Sequence, residues 1–136
     1  MEVVYIVDRT EKAGLEECDA VVVDVTLESN QLQQGATQYH ITLDPENVDI
    51  KGKTGMLHEW IRSPKTSTEG SVPQGSVVDR YLQQVEIVMP EAKKAKTVLE
   101  ALLLMKGKKF KFKRLKLGKA FEGHEAREYW TVVSRL

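Results

Sequence analysis

The spacing of apolar residues predicts β-strands in the first third of this 136-residue chain. A short apolar run from Val3 to Val7 is the first candidate. From Ala20 to Glu28 apolar and polar residues alternate, and the alternation returns from Gln38 to Asp44. This period of two is typical of a strand with one buried face. The inward-facing residues would be Val21, Val23, Val25 and Leu27 in the first alternating strand and Tyr39, Ile41 and Leu43 in the second.

The middle of the chain, from Pro45 to Gly75, has no regular period and is rich in glycine and proline. Residues of these two types, closely spaced, favour turns and loops over regular elements. We therefore expect a long insertion here, with one or two helical turns at Met56 to Ile61 and a mobile loop at residues 62–76.

The segment after this insertion combines a helix start with a strand-like pattern. Ser76 and Asp79 have the spacing of a helix-capping pair, which predicts a short helix directly afterwards, with a strand as the alternative. From Val85 to Met89 every second residue is apolar, and this alternation predicts an extended strand.

A longer helix is predicted from Lys93 to Met105. Its apolar residues recur at three-to-four spacing, which places them on one helical face. Pro90 and Glu91 suit the first turn, and Gly107 follows the last periodic residue as a C-cap.

The last third of the chain predicts a hairpin. From Lys108 to Leu117 the pattern alternates, with Phe110 and Phe112 facing the core and lysines facing outward. The phase slips at Lys113 and Arg114, where a bulge would bend the strand. Residues 118–123 would form the hairpin tip, and the final strand would run from Tyr129 to Arg135.

Charge is distributed very unevenly along the chain. The twenty basic residues balance twenty acidic ones, but eleven of the basic residues lie between Lys93 and Lys119, where Glu100 is the single acid. The first fifty residues hold eleven acids against Arg9 and Lys12. Because the field near a protein surface is set by charges within roughly 8 to 10 Å, the basic segment can attract a polyanion although the whole chain is neutral.

The predicted order of elements resembles the OB-fold, a five-stranded Greek-key barrel with a helix between its third and fourth strands. The resemblance covers residues 19–136 and is architectural. It implies a mainly β protein with one or two helices, one domain over residues 1–136, and a long insertion before the third strand. The implied strands are Val21–Leu27, Tyr39–Leu43, Val85–Met89, Lys108–Leu117 and Tyr129–Arg135.

Proteins of this fold that bind single-stranded nucleic acid use the face of strands two and three and the loops beside it, here residues 28–38 and 118–128. Such binding needs cations for the phosphates and exposed rings on which bases stack. The cationic candidates are Lys108, Lys109, Lys111, Lys113, Arg114, Lys116 and Lys119. The ring candidates are Phe121, Trp60, Tyr39 and Tyr81. Single-stranded DNA is the favoured ligand over RNA.

Two other interpretations of the basic strand stay open. Lysines often mark the solvated side of an edge strand, where they prevent aggregation. The strand could also dock an acidic protein partner, or the acidic face of a second copy in a homo-oligomer. Phe110, Phe112 and Trp130 are expected to be core residues, whereas Trp60 could either plug the core or stack on a base.

No pattern in the sequence predicts catalysis, a cofactor or a metal. His58 and Glu59 lack the second histidine of a zinc-protease helix, and the three histidines with Cys18 match no zinc spacing. Residues 44–49 lack the glycine and glutamate of a calcium loop. A non-catalytic binding protein is therefore the expected class.

Composition is that of an ordinary globular domain, with 41% hydrophobic and 29% charged residues. The single cysteine excludes an internal disulfide and favours a reducing compartment. The start of the chain has no basic stretch followed by a long apolar one, as a signal peptide would. We therefore expect a soluble, cytoplasmic protein without a membrane partner.

Overall fold

The computed structural model describes residues 17–29, 37–46, 56–63, 74–117 and 127–136. Five strands make up one antiparallel sheet, and two helices and one 3-10 helix lie between the third and fourth strands. The strands are β1 (Glu17–Ser29), β2 (Thr37–Glu46), β3 (Leu57–Ser63), β4 (Lys109–Lys116) and β5 (Glu128–Arg135). The helices are α1 (Val77–Val88), the 3-10 helix (Pro90–Lys94) and α2 (Val98–Leu103).

The strand order in the sheet is β3-β2-β1-β4-β5, with β3 and β5 at its two edges. The protein is mainly β, as expected. The inner face of the sheet packs against α1 and α2 around a single core. β3 and β5 are not paired with each other in the sheet, and a side chain connects them instead. The Glu59 carboxylate of β3 accepts a 2.8 Å hydrogen bond from the backbone N–H of Trp130 in β5.

The first two strands lie where alternation predicted them, but the inward set of β1 differs. A bulge between Val22 and Asp24 shifts the register against β2. Val22 and Val25 are consequently buried, whereas Val23 is 39% exposed. Alternation assumes an unbroken period of two, and one extra residue in a bulge reverses the facing of every residue before it.

The third strand lies inside the segment that the sequence predicted to be an insertion. Residues 57–63 are β3, so the expectation of helical turns at Met56 to Ile61 was wrong. Its inward residues include the polar side chains of Glu59 and Ser63, both of which are buried. Those two polar residues interrupt the apolar period and obscure the strand in the sequence.

The helix start at Ser76 is confirmed, because its hydroxyl accepts a hydrogen bond from the backbone N–H of Asp79. The strand predicted from Val85 to Met89 is wrong, since α1 continues to Val88. Val85 packs in the core on the same helical face as Tyr81, whereas Ile87 is 72% exposed. The apparent alternation therefore joined two core residues, Val85 and the C-cap residue Met89, with one surface residue, Ile87.

The single helix predicted from Lys93 to Met105 is divided into the 3-10 helix and α2. Thr97 caps α2 by accepting a 3.0 Å hydrogen bond from the backbone N–H of Glu100. The Glu100 carboxylate in turn accepts from the backbone N–H of Lys96, one residue before the cap, and these two side-chain contacts fix the start of α2 after the 3-10 helix. Gly107 follows with a φ of 82°, in the left-handed region expected of a C-cap glycine.

The last two strands confirm the predicted core positions of Phe110, Phe112 and Trp130, all of which are buried. The predicted bulge at Lys113 and Arg114 is not where the register breaks. The irregularity lies between Lys111 and Phe112, opposite residues 132–134 of β5. The strand predicted at residues 3–7 and the hairpin tip at residues 118–123 lie outside the described part of the chain.

The predicted mobile loop at residues 62–76 is only partly described. Arg62 and Ser63 end β3, Ser76 caps α1, and residues 64–73 lie outside the described ranges. Within those ranges, no helix has the length and apolar character needed to cross a lipid bilayer.

Candidate nucleic-acid interface

Three aromatic side chains form a cluster on the outer face of β2 and β3, which we call the ring cluster: His40, His58 and Trp60. The rings of His40 and Trp60 stack with centroids 4.6 Å apart and planes 17° apart. His58 lies against the same indole at 5.5 Å and 18°. Trp60 stays 39% exposed, so part of its ring area is open to a ligand.

Strand geometry places these rings outside. Alternate residues of β3 are buried, and the intervening ones, His58, Trp60 and Arg62, are exposed. His40 lies directly opposite Trp60 in the β2–β3 register. Facing residues on adjacent antiparallel strands have Cβ atoms roughly 4.5 to 5.5 Å apart, close enough for ring contact. The sequence question about Trp60 is thereby answered: the tryptophan is a surface residue and not a core plug.

A chain of hydrogen bonds runs from β1 to β3 through the two histidines of the ring cluster. The Glu28 carboxylate lies 2.8 Å from Nδ1 of His40, and Nε2 of His40 lies 2.8 Å from Nδ1 of His58. Thr26 and Gln38 also donate to this carboxylate at 3.3 Å. The hydrogen bond from His40 is the main reason that the pKa of Glu28 lies below its usual value.

Two arginines lie next to the ring cluster. Arg62 is exposed on the outer face of β3, two residues beyond Trp60. Arg127, which precedes β5, donates to the backbone carbonyl of Trp60 at 3.4 Å and to the Glu59 carboxylate at 3.3 Å. Its guanidinium also lies 4.6 Å from the ring centroid of Tyr129. A phosphate beside Trp60 would therefore lie close to two positively charged side chains, one on β3 and one just before β5.

The basic strand β4 pairs several of its cations with carboxylates of β1, β2 and β5. Lys109 pairs with Glu46 at 2.9 Å and Arg114 with Glu128 at 3.3 Å. Lys113 lies 3.6 Å from Glu17 across the β1–β4 register. Lys111 and Lys116 also belong to this strand, and Lys111 makes no ion pair with any residue in the described part of the chain. Lys108 precedes the strand, and its ammonium donates to the Leu104 carbonyl.

The ring cluster and the basic strand do not form one continuous patch. Between them lie β1 and its outer carboxylates, which we call the acidic row: Glu17, Asp19, Asp24 and Glu28. Because adjacent strands lie roughly 4.8 Å apart, β3 and β4 are separated by roughly 14 Å along the sheet. A nucleic acid that stacks on Trp60 must therefore cross the acidic row to reach Lys111.

Tyr39 and Tyr81 are not ring platforms, in contrast to the sequence-based expectation. Tyr39 is 3% and Tyr81 1% exposed. The Tyr81 hydroxyl donates to the backbone carbonyl of Trp130 at 3.1 Å, and burial followed by the Glu59 charge raises its pKa. Alternation placed Tyr39 inward correctly, but its use as a surface ring conflicted with that facing. The other two candidates, Lys119 and Phe121, lie outside the described residues.

Of the four side chains considered for a metal, the three that the structure describes do not converge. Cys18 lies in the core on the inner face of the sheet, where burial and then the Asp19 charge raise the pKa of its thiol to about 11. His40 and His58 lie on the outer face, and His124 is outside the described residues. Among the residues that the structure describes, no three His, Cys, Asp or Glu side chains are placed to hold a metal ion.

The histidines of the ring cluster are candidate site residues that the sequence interpretation set aside as ordinary surface residues. The alternation on β2 did place His40 outward. The missing information was β3, because only its alignment with β2 brings His58 and Trp60 beside His40. Comparison with protein-family models, curated proteins and solved structures gave no match.

Proposed function

We propose that this protein binds single-stranded nucleic acid, with DNA favoured over RNA, by stacking bases on the ring cluster. The observation that carries the proposal is the half-exposed indole of Trp60, fixed against His40 on the outer face of the sheet. A base stacked on an aromatic side chain contributes roughly 1 to 3 kcal/mol to binding, independently of its sequence. A ring already held by its neighbours loses little freedom when the base arrives.

The arrangement of elements supports an OB-like barrel as the scaffold. The order β3-β2-β1-β4-β5, with the helices between β3 and β4, is the connectivity expected of that fold. The hydrogen bond from Trp130 to Glu59 brings the two edge strands together in the sense that barrel closure requires. In such a barrel the outer face of β2 and β3 is the surface that takes oligonucleotides, and the ring cluster lies on that face.

Phosphate contacts would come first from Arg62 and Arg127, which lie beside Trp60. Lys111 would extend the contact across β1, since its ammonium is not held by a described carboxylate. Lys113 is paired with Glu17 and has to exchange one anion for another. The two lysines therefore offer a matched comparison within one strand.

The central experiment is a fluorescence titration with an oligonucleotide of roughly 12 thymidines, within the usual site size of such proteins. Wild-type protein should bind, and Trp60→Ala should bind about 5 to 150 times more weakly, which corresponds to the loss of one stacked base. Ile87→Ala is the control, because Ile87 is 72% exposed on α1, away from the ring cluster. Normal binding by Trp60→Ala would refute the proposed site.

Salt dependence separates the roles of the lysines. Each phosphate neutralised on a single strand contributes roughly −0.7 to the slope of log K against log salt. Lys111→Gln should reduce the slope by about that amount, whereas Lys113→Gln should reduce it less because Glu17 already occupies the ammonium. Equal effects of the two variants on the slope would show that the ion pair with Glu17 does not weaken the contact between Lys113 and phosphate. An RNA of matched sequence should bind more weakly than the DNA.

Docking of an acidic protein is the second candidate function, and one observation favours it. Lys109, Lys113 and Arg114 each already bind a carboxylate within 3.6 Å. A partner with spaced acidic side chains could replace those carboxylates along the basic strand, as could the acidic row of a second copy. Competition distinguishes the two functions. If a polyglutamate peptide displaces the oligonucleotide no better than a simple salt at the same ionic strength, the nucleic-acid assignment stands.

A further inference from the structure

The hydrogen-bond chain from Glu28 through His40 to His58 has a definite proton arrangement when it is neutral. An ionised carboxylate can only accept, so Nδ1 of His40 must donate to Glu28. Nε2 of a neutral His40 then carries a lone pair and accepts from Nδ1 of His58 across the 2.8 Å contact. Every contact in the chain is satisfied in this state.

One added proton leaves the chain equally well bonded. If His40 becomes an imidazolium, its Nε2 donates to His58, whose own proton moves to its second nitrogen. The positive charge then lies between the Glu28 carboxylate and His58. A second proton would bring two N–H groups face to face at 2.8 Å, which breaks the contact. The chain is therefore built to take up one proton and to resist a second.

We propose that nucleic-acid binding by this protein is linked to uptake of one proton by the Glu28–His40–His58 chain. This inference rests on the proposed function, because the ring cluster is the binding surface in both. The imidazolium formed by the added proton is stacked 4.6 Å from the indole of Trp60, and a nucleotide stacked on that indole would bring its phosphates close to the added charge. Bound phosphate stabilises that charge, so binding and protonation favour each other.

The charged groups around His40 support this sign. Thr26 of β1 and Trp60 of β3 lie directly opposite His40. Its charged and titratable neighbours lie two residues to either side of these, and they are Asp24 and Glu28 on β1 and His58 and Arg62 on β3. Asp24 is engaged with Lys106 at 3.4 Å. The lowered pKa of Glu28 keeps its carboxylate ionised throughout the range in which imidazoles titrate, so it can stabilise the added proton. Arg62 opposes protonation, but a phosphate bound beside it would remove that opposition.

The expected effect is an affinity that rises as pH falls. If bound phosphate stabilises the protonated chain over the neutral one, affinity should increase about threefold to tenfold between about pH 8 and about pH 6. Thymidine oligonucleotides suit this measurement because neither thymine nor the phosphodiester titrates in that interval. Any pH dependence then comes from the protein.

Variants within the hydrogen-bond chain and one outside it test the linkage. His40→Gln should abolish the pH dependence while keeping a polar side chain opposite Trp60. Glu28→Gln should move the rise in affinity to lower pH, since it removes the negative charge that stabilises the imidazolium. Ile87→Ala, the control of the binding titration, should leave the wild-type pH dependence unchanged. Wild-type behaviour in His40→Gln would overturn the proposal.

The outcomes also separate this inference from the proposed function. Binding that depends on Trp60 but is the same at both pH values would refute the proton linkage and leave the nucleic-acid function standing. Absence of binding at both pH values would refute both. Nitrogen NMR of the imidazole rings provides a second measurement, because it reports directly whether His40 and His58 share one proton. Two independent titrations without mutual shifts would refute the linked chain whatever the affinity.

Discussion

Replacement of Glu59 by alanine is expected to destabilise the fold much more than the loss of an ordinary surface acid. Glu59 is 4% exposed although it lies on an edge strand. One carboxylate oxygen accepts the buried backbone N–H of Trp130 at 2.8 Å, and the other lies 3.3 Å from the Arg127 guanidinium. Its side chain therefore does what a backbone carbonyl would do if β3 and β5 were paired.

The size of the effect follows from these two contacts. A hydrogen bond to a charged acceptor contributes roughly 1.5 to 3 kcal/mol, and alanine would leave the Trp130 N–H buried without this acceptor. Arg127 is more than half exposed and can turn to water, so its ion pair adds at most about 1 kcal/mol. We expect Glu59→Ala to lower the free energy of unfolding by about 2 to 4 kcal/mol. Glu59→Gln keeps an acceptor for Trp130 and should cost about 1 kcal/mol.

Equilibrium unfolding in urea, followed by circular dichroism, measures these differences directly. Glu46→Ala is the matched control, because Glu46 is also a strand glutamate in an ion pair, with Lys109 at 2.9 Å, but is exposed. Its expected cost is at most about 1 kcal/mol. If Glu59→Ala were no more destabilising than Glu46→Ala, the carboxylate would not connect the two edges. If Glu59→Gln were as damaging as alanine, the charge of Glu59 and not its role as acceptor for the Trp130 N–H would be the source of its stabilisation.

Two further predictions concern the core. Phe110→Ala should lower the free energy of unfolding by about 3 to 5 kcal/mol, because its fully buried ring packs edge-to-face on Phe112, and thermal or urea unfolding would reveal a smaller loss if the ring were at the surface. The Cys18 thiol, with its pKa raised to about 11 by burial, should react with a thiol reagent at neutral pH far more slowly in the folded protein than in urea. Rapid labelling of the folded protein would contradict the burial of Cys18.

The parts of the fold that could be predicted were those in which one face of an element is uniformly apolar. The β2 residues Tyr39, Ile41 and Leu43 are all buried, and so are Phe110 and Phe112 of β4, as alternation indicated. In these strands the hydrophobic effect alone selects the inward face, so the pattern carries the information.

Elements whose structure depends on a polar side chain with a distant partner could not be predicted this way. β3 was missed because Glu59 faces inward, and its reason for doing so is the N–H of Trp130, 71 residues later. The division of the long helix had a local signal, since Thr97 and Glu100 match the capping-box spacing. That signal was outweighed by a continuous apolar period through the same residues.

The candidate site, like the fold, could be predicted only in part from the sequence. The sequence identified Trp60 and the lysines of β4 but placed them together, because a sequence gives no lateral order of strands. The structure inserts β1 between them and adds His40 and His58 to the tryptophan. A residue's facing can be inferred from its neighbours in the chain, whereas its companions on a surface depend on register and topology.

The acidic row on β1 means that the protein carries its own competitor for the basic strand. A polyanion that contacts Lys109 or Lys113 has to displace Glu46 or Glu17, which are attached to the same sheet and therefore present at high effective concentration. A ligand that offers only negative charge therefore gains little binding free energy, because it replaces one anion by another. A ligand that also stacks on an aromatic ring would gain free energy that the carboxylates of the protein cannot supply. The internal ion pairs would in this way make the exposed basic strand selective among polyanions.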